Sequence, residues 1–277
     1  MSETIAIAIT TVPDFIGTLD AISAALHVND LRSLEDVPAP GTPWPDGIRH
    51  LYRYGVSTRT TEITCSDGEF AIRMFSMASR EDVALAVALA EYVAEHAGAA
   101  TVSSELGGDL PPTELAAFYS PEWADRMIES GYAVLSEMVR RGEGPMQVPG
   151  PRRSFFVGPR VLLQLPPERP EQRLLDAIRH VQWIPIRTAG TFEAKSATSD
   201  KDIRLAMWLG EEVVFPGVEY ACIGLDGTNV FLIPASRVAE LAGERWTPID
   251  EVQGIVGDCG DDWPAIVEAA RKYATKP

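Results

Sequence analysis

The sequence predicts an α+β fold, with mainly antiparallel sheets covered by helices, and it allows two such lobes in tandem. Three observations lead to this prediction. A strand–helix–strand pattern runs through residues 68–105, an Asp-Gly dipeptide joins two alternating runs just before it, and short strand and helix patterns continue to the end of the chain. The stretch 68–105 is the clearest of these, and the other elements are assigned around it.

A β-hairpin is predicted at residues 58–75. A run rich in Thr and Ile at 58–65 and an apolar run at 70–75 flank Asp67 and Gly68. The Asp-Gly pair readily adopts the positive φ angles that a type I′ turn requires, so the two runs are expected to pair as antiparallel strands.

A long buried helix should follow the hairpin. Ser79 is predicted as its N-cap, with Asp82 placed to complete a capping box, and Gly98 is predicted as its C-cap. Apolar residues cover most of this helix, and its remaining face is a narrow polar seam. The seam consists of Glu81, Ala84, Ala88, Glu91 and Glu95. We interpret the seam as a solvated face, with a binding face as the alternative.

The rest of the first half extends this unit. The patterns predict a strand at 4–10, a helix from Pro13, a long proline-rich loop at 29–47, a strand at 48–56 and a short strand at Val102. The predicted order over the first hundred residues is therefore β-α-β-β-β-α-β. Residues 106–142 read as helical, with Ser120 as an N-cap and Pro121 in the first turn.

The second half alternates short strands and helices. Strands are predicted at 155–157, 161–165, 182–186, 191–197, 213–215, 220–223 and 229–233, and helices at 170–181, 236–241 and 264–274. Residues 200–209 fit either type of element. Asp226-Gly227 is a second predicted hairpin turn.

The domain prediction depends on a glycine- and proline-rich segment. Residues 1–142 form an acidic N-terminal lobe, 143–151 a linker, and 152–277 a C-terminal lobe. A single large domain is also compatible with a chain of 277 residues.

The charge of the chain is strongly negative and unevenly distributed. The chain has 40 acidic against 24 basic residues, a net charge of −16. Residues 1–150 contain 22 acids and 9 bases (−13), whereas residues 151–277 contain 18 and 15 (−3). Such a surface argues against binding to nucleic acid or to an anionic membrane, and it suits a basic protein partner. Solubility alone is the other explanation of the charge.

Targeting signals and disulfides are not predicted. No apolar run is long enough to span a membrane, and the N-terminus lacks the pattern of a signal peptide, so a cytoplasmic protein is expected. Cys65, Cys222 and Cys259 are widely spaced, which favours neither a disulfide framework nor a zinc ribbon.

The sequence contains none of the common catalytic or cofactor-binding motifs that we considered. A GxSxG elbow, an HExxH helix, a phosphate-binding GxxxxGK[ST] loop and a strand-linked GxGxxG are all missing. The four histidines, His27, His50, His96 and His180, are far apart, and a structural role is predicted for each. No cofactor and no metal are predicted.

The first hypothesis is a non-enzymatic binding protein that neutralises a basic partner. Its most concrete form is an immunity protein against a bacterial toxin such as a nuclease, because charge complementarity speeds capture and needs no catalytic group. The candidate contact residues are Trp44 with its neighbouring acids and a set of acids on one helix face. They are Glu35, Asp36, Trp44 and Asp46, together with Glu122, Asp125 and Glu129.

The alternative is a hydrolase or a metal-dependent enzyme with an acidic active site. Asp258, Asp261 and Asp262 stand around Cys259 in one loop and could in principle hold a cation or act as catalytic acids. The simpler interpretation is that Asp261 or Asp262 caps the last helix, with Trp263 packed on the core. A structural subunit of a larger assembly is a third possibility. The sequence gives neither the partner nor the oligomeric state.

Overall fold

A computed structural model describes residues 2–196, 199–225 and 229–276, and it confirms the α+β class. The chain divides into two compact units. Unit 1 contains Met1–Phe155 and Gln164–Trp183, and unit 2 contains Phe156–Leu163 and Ile184–Pro277. The division by contacts thus falls at Phe155, and the segment 164–183 belongs to unit 1. The lobes and linker expected from the sequence remain a prediction.

Unit 1 is built on one large sheet. Its seven strands lie in the order β2-β3-β4-β5-β1-β6-β7, and every neighbouring pair is antiparallel. The strands are β1 (Ser2–Ala8), β2 (Leu31–Ser33), β3 (Gly47–Arg53), β4 (Thr61–Ser66), β5 (Glu69–Phe75), β6 (Val102–Ser104) and β7 (Gly108–Leu110). The short strands β8 (Met146–Val148) and β9 (Phe155–Val157) follow later in the chain.

Helices accompany this sheet. They are α1 (Phe15–Ala25), α2 (Arg80–Ala97), α3 (Leu115–Phe118), α4 (Pro121–Arg140) and, after a segment of unit 2, α6 (Pro170–Gln182). Burial alternates along the strands, so that Ile5, Ile63 and Ile72 are fully buried and share one core with α1 and α2. The other face of the sheet carries smaller and more polar side chains.

The predicted hairpin and helix caps are confirmed. Ser66 pairs with Glu69 across Asp67 and Gly68, whose φ angles are 51° and 78°. Helix α2 begins with the capping box of Ser79 and Asp82 and ends at Gly98 in the left-handed conformation. Ser120 caps α4, with Pro121 in its first turn. Each of these signals is local, which is why the sequence reveals it.

A buried carboxylate ties the start of α2 to the chain that leads into β4. One oxygen of Asp82 accepts hydrogen bonds from the backbone N–H groups of Thr58 (3.1 Å), Arg59 (3.1 Å) and Ser79 (2.9 Å), and the Thr58 hydroxyl lies 2.8 Å away. Asp82 is 2% exposed. Met77, just before the cap, has a φ of 62°, a conformation rarely adopted by a side chain of this size. The carboxylate therefore holds three backbone segments together.

Unit 1 also departs from the sequence prediction in places. The proline-rich stretch expected to be one loop contains the edge strand β2, and β7 adds an unexpected strand after β6. On α4, Val134 is 42% exposed, because the buried face of this helix runs along Trp123, Ala124 and Ile128.

Unit 2 has two smaller sheets. One has the order β10-β11-β13-β14, in which β11 and β13 are parallel, and the other has the order β12-β16-β15. The strands are β10 (Thr191–Lys195), β11 (Asp202–Trp208), β12 (Val213–Phe215), β13 (Tyr220–Gly224), β14 (Val230–Pro234), β15 (Trp246–Pro248) and β16 (Gly254–Val256). The helices are α5 (Pro159–Gln164), α7 (Val238–Ala242) and α8 (Trp263–Ala270). Trp208 is fully buried in its core and packs against Trp263.

Several predictions for the second half are wrong. Residues 161–164 of the predicted strand 161–165 form the end of α5 instead, because the Glu251 carboxylate accepts hydrogen bonds from the N–H groups of Arg160 (3.1 Å) and Val161 (3.4 Å) and so caps a helix. Residues 182–186 form no strand, and β15 and β16 were not predicted. The ambiguous stretch 200–209 is the strand β11. The predicted turn Asp226-Gly227 and residue 197 of a predicted strand lie outside the described residues.

Within the part of the chain that the structure describes, no helix combines the length and the apolar character needed to cross a bilayer.

We expect Asp82→Ala to lower the free energy of unfolding by about 3 kcal/mol. The variant leaves the buried N–H groups of Thr58 and Arg59 without an acceptor, whereas the Ser79 N–H keeps the Thr58 hydroxyl at 3.0 Å. Each unsatisfied buried group carries a large desolvation penalty. Equilibrium denaturation followed by circular dichroism measures the change.

Glu81→Ala is the matched control, because it removes the adjacent acid in the same helical turn. Glu81 forms a part-exposed ion pair with Arg179 at 3.1 Å, so its loss should cost less than about 1 kcal/mol. Equal losses in the two variants would show that Asp82 contributes no more than a surface ion pair.

Candidate functional site

Trp44 is not available as a surface contact, so this part of the predicted site is wrong. The side chain is only 2% exposed, and its ring packs at 4.7 Å from Phe15 and 5.0 Å from Phe70. Its backbone N–H donates to the Pro13 carbonyl oxygen at 2.8 Å. Trp44 therefore anchors its own proline-rich loop to the core of unit 1, and large aromatic side chains are well suited to this role.

The acids that neighbour Trp44 in sequence do lie at the surface. Glu35 is half-buried, whereas Asp36 and Asp46 are exposed. All three flank the edge of the large sheet, because β2 is its outermost strand and Asp46 immediately precedes β3. The Arg49 guanidinium donates to the Asp36 carbonyl oxygen at 2.8 Å, which keeps this segment beside β3.

Glu35 is held in place by His50. Its carboxylate lies 2.7 Å from Nδ1 of His50 and accepts from the His50 backbone N–H at 2.9 Å and from the Ser33 hydroxyl at 3.0 Å. Burial alone would raise the pKa of Glu35, but these hydrogen bonds outweigh it and lower the pKa below its usual value. Glu35 is therefore a fixed negative charge at neutral pH.

A row of paired polar side chains continues from His50 across the sheet. His50 pairs with Glu62 in the strand register, and Glu62 pairs with Arg73. The His50 Nε2 lies 3.7 Å from the Glu62 carboxylate, and the Arg73 guanidinium lies 3.6 Å from it. Cross-strand pairs of opposite charge stabilise a sheet, so this row is structural support for the edge.

Exposed apolar side chains occur in the same chain segments as these acids. Leu34 is 47% exposed, Val37 55% and Ile48 58%. The Leu34 N–H donates to the His50 carbonyl oxygen at 3.0 Å, and Ile48 is two residues from His50 on the same face of β3. We call this surface the edge patch; it consists of Leu34, Glu35, Asp36, Val37, Asp46 and Ile48.

The three candidate acids of α4 differ in the contacts that they make. Asp125 forms a bidentate ion pair with Arg80, in which Nε lies 2.8 Å from the carboxylate, and this pair lowers the pKa of Asp125. The pKa of Glu122 is also lowered, by its own backbone N–H and the Ser120 hydroxyl in the first turn of the helix. Glu129 is exposed and lines a small hollow near Arg169. Only Glu122 and Glu129 thus remain free to meet a cationic partner.

A cleft of about 290 Å³ lies beside the polar seam of α2. We call it the α2 cleft. Its wall includes Ala84, Ala88 and Glu91 of the seam, Leu26 just after α1, and the chain around Tyr119 to Ala124. The seam predicted as a plain solvated face therefore forms one side of a mainly apolar cleft.

The acidic loop at 257–264 has a structural arrangement in unit 2. Asp262 forms an ion pair with Arg245, and Asp258 accepts from the Gly260 N–H at 3.0 Å. Asp262 occupies the N-cap position of α8, but its side chain makes no capping hydrogen bond there, so side-chain capping by Asp262 is wrong. Asp261 is exposed.

Cys259 in the same loop is 3% exposed. Burial raises the pKa of its thiol; Arg245 opposes this shift, and Asp258 and Asp262 add to it. A thiol with a raised pKa is a poor nucleophile at neutral pH. Among the described residues, no group of three or more His, Cys, Asp or Glu side chains is arranged to hold a metal ion.

Charge is still concentrated in unit 1 when residues are counted by unit rather than by half. Unit 1 contains 25 acids and 14 bases, a net charge of −11, and unit 2 contains 15 and 10, a net charge of −5. The edge patch and the α2 cleft both belong to the more acidic unit.

The chain matches no protein-family model, and comparisons with curated proteins and with solved structures likewise give no match. Its function has to be inferred from the geometry of its own residues.

Sequence reasoning missed the apolar part of the edge patch and the role of His50. Leu34 and Val37 lie in a stretch that was interpreted only as a loop, and Ile48 was assigned to a strand without a face. The alternation of β3 offered a signal, since Leu51 faces the core and the residues at even positions 48–52 must face away from it.

We expect Glu35→Gln to reduce stability at neutral pH by at most about 1 kcal/mol, because the side chain is roughly one-third exposed. The folded-state pKa is below the unfolded one. The stabilisation is therefore complete above the ordinary glutamate range and is lost as the pH falls through the lowered pKa. Denaturation of the wild-type protein and of Glu35→Gln between pH 7 and pH 3 measures how the difference in their free energies of unfolding shrinks.

Asp36→Asn makes the same change of charge one residue along the chain, at an exposed carboxylate. Its effect should stay within about 0.5 kcal/mol at every pH. A Glu35→Gln difference that persists unchanged at pH 3 would contradict a stabilising carboxylate at this position.

Proposed function

We propose that this protein is a non-enzymatic binding protein that captures a basic protein partner through the acidic surface of unit 1. In its most concrete form it is an immunity protein that neutralises a bacterial toxin such as a nuclease. The partner meets the edge patch first, and the chain supplies charge and shape rather than a reactive group.

The observation that carries the proposal is the composition of the edge patch. Three large apolar side chains, Leu34, Val37 and Ile48, are each about half exposed, and Glu35, Asp36 and Asp46 are their near neighbours along the chain. Protein interfaces typically have an apolar centre with a polar rim. If the acids served solubility alone, exposed apolar side chains beside them would be a disadvantage, because such side chains promote aggregation.

Electrostatics supports the same proposal. Unit 1 has a net charge of −11, and Glu35 is kept ionised by His50 and Ser33. A fixed anionic surface attracts a cationic protein over distances comparable to the Debye length and accelerates encounter. Nucleases and other proteins that bind nucleic acid expose cationic surfaces, which makes them suitable partners.

The enzymatic alternative finds less support in the geometry. Asp262 is paired with Arg245, Asp258 binds the Gly260 backbone, and Cys259 is buried. Two of the three acids of this loop, Asp258 and Asp262, are thus engaged in local structure, and Asp261 is exposed. An activity abolished by Asp258→Asn together with Asp261→Asn would favour the alternative.

Charge reversal in the edge patch should slow capture. We expect Asp36→Lys with Asp46→Lys to lower the association rate constant for a captured basic protein by about tenfold at low salt, and the wild-type rate to fall steeply as salt is added. Affinity capture with mass spectrometry identifies the partner, and surface plasmon resonance at several salt concentrations measures the rates.

Glu212→Lys with Glu244→Lys is the matched control, since both acids are exposed in unit 2 and the net charge changes equally. Its effect should be smaller than about twofold if the surface of unit 1 is used. A similar loss of association rate in the control, a salt-independent rate, or a captured partner with no basic surface would each contradict the proposal.

A further inference from the structure

The α2 cleft contains a carboxylate without a cationic partner. The Glu91 side chain is half-buried, and burial raises its pKa, with only the Ala116 backbone N–H opposing the shift. Across the described ranges, Glu91 takes part in no ion pair. Its cost of desolvation is therefore largely uncompensated within unit 1.

The cationic side chain that also lines the cleft is already engaged. Arg80 forms its ion pair with Asp125 on α4, at 2.8 Å from Nε, and the contact raises the pKa of Arg80. Glu91 lies eleven residues further along α2, three helical turns away. The cleft thus offers a negative end at Glu91 that no neighbouring cation of unit 1 neutralises.

The rest of the cleft is apolar and narrow. The seam alanines Ala84 and Ala88, the buried Val83 and Val87, and Leu26 provide hydrocarbon surface along its length. Its volume of about 290 Å³ suits one long side chain rather than a helix. A second hollow shares Glu91 and is otherwise lined by Glu95, Ala99, Pro112 and Thr113, so Glu95 does not line the α2 cleft.

We propose that the α2 cleft binds one lysine or arginine side chain of the protein partner, with the aliphatic stem on the alanine surface and the cationic head at Glu91. This inference rests on the proposed function and assigns a specific contact to it. Lysine and arginine combine an apolar stem with a charged end, and they commonly bury the first while pairing the second.

The cleft belongs to the more acidic unit 1, which has a net charge of −11. Its lining combines an apolar wall with the carboxylate of Glu91. Charge complementarity therefore favours a basic occupant over a neutral apolar one.

The probe for this site is the n-pentylammonium ion, which has an alkyl stem and a cationic head. We expect saturable NMR shift changes at the amides of Ala84, Ala88 and Ala116 during titration at constant ionic strength. 1-Pentanol has the same stem without the charge, and it should bind at least about fivefold more weakly. Equal binding of the alcohol, or shift changes confined to other parts of the surface, would overturn the assignment.

Glu91→Gln keeps the shape of the cleft and removes its charge, so it should weaken binding of the amine about tenfold. Glu95→Gln is the matched control one turn along the same helix, where the side chain is exposed, and it should change binding less than twofold. Equal effects of the two variants would contradict a specific site at Glu91 and indicate only a general attraction of cations to α2.

The same variants, tested on the captured partner, separate this inference from the proposed function. We expect Glu91→Gln to increase the dissociation rate of the partner about tenfold and Glu95→Gln to leave it nearly unchanged. If edge-patch charge reversal slows capture but Glu91→Gln leaves dissociation unchanged, the cleft assignment fails and the proposed function stands. If pentylammonium binds but no basic protein is captured, the proposed function fails and the assigned occupant with it.

Discussion

The hydrogen bonds to Asp82 are the constraint on which the rest of unit 1 depends. A single buried carboxylate joins the chain ahead of β4, the cap of α2 and the first turn of α2 itself. Because one oxygen of Asp82 binds backbone groups of both segments, the chain ahead of β4 and the start of α2 have little freedom to shift separately. The other oxygen, Oδ1, is buried without a hydrogen-bond partner among the described residues.

The sequence predicted those features whose causes lie within a few residues. The hairpin at Asp67-Gly68, the caps at Ser79, Gly98 and Ser120, and the helix between them all depend on short-range backbone chemistry. The predictions that failed concern features that depend on contacts between residues far apart in the sequence. The carboxylate of Glu251, about ninety positions further along the chain, caps the helix at residues 160–164. The burial of Trp44 depends on Phe15 and Phe70. No local pattern contains that information.

For the candidate site, the sequence located charges and could not distinguish their surroundings. It singled out Glu35, Asp36 and Asp46, but it could not show that Leu34, Val37 and Ile48 lie exposed among them. It listed Asp125 beside Glu122, although Arg80 forms an ion pair with Asp125 and not with Glu122. It treated Glu91 as one solvated acid among several, whereas burial without a partner makes this residue different from Glu95. Solvation and pairing are properties of the folded neighbourhood.

The discontinuity of unit 1 has a consequence for how the protein is made. Helix α6 belongs to this unit, contacts α4, and is followed by Trp183, whose ring packs against Tyr54. A ribosome therefore releases the strands and α2 long before it releases the segment that completes them. Until Trp183 has emerged, the nascent first unit exposes the apolar surface that α6 later covers. Assembly of the acidic unit is thus delayed until the intervening segment of unit 2 and α6 have been synthesised.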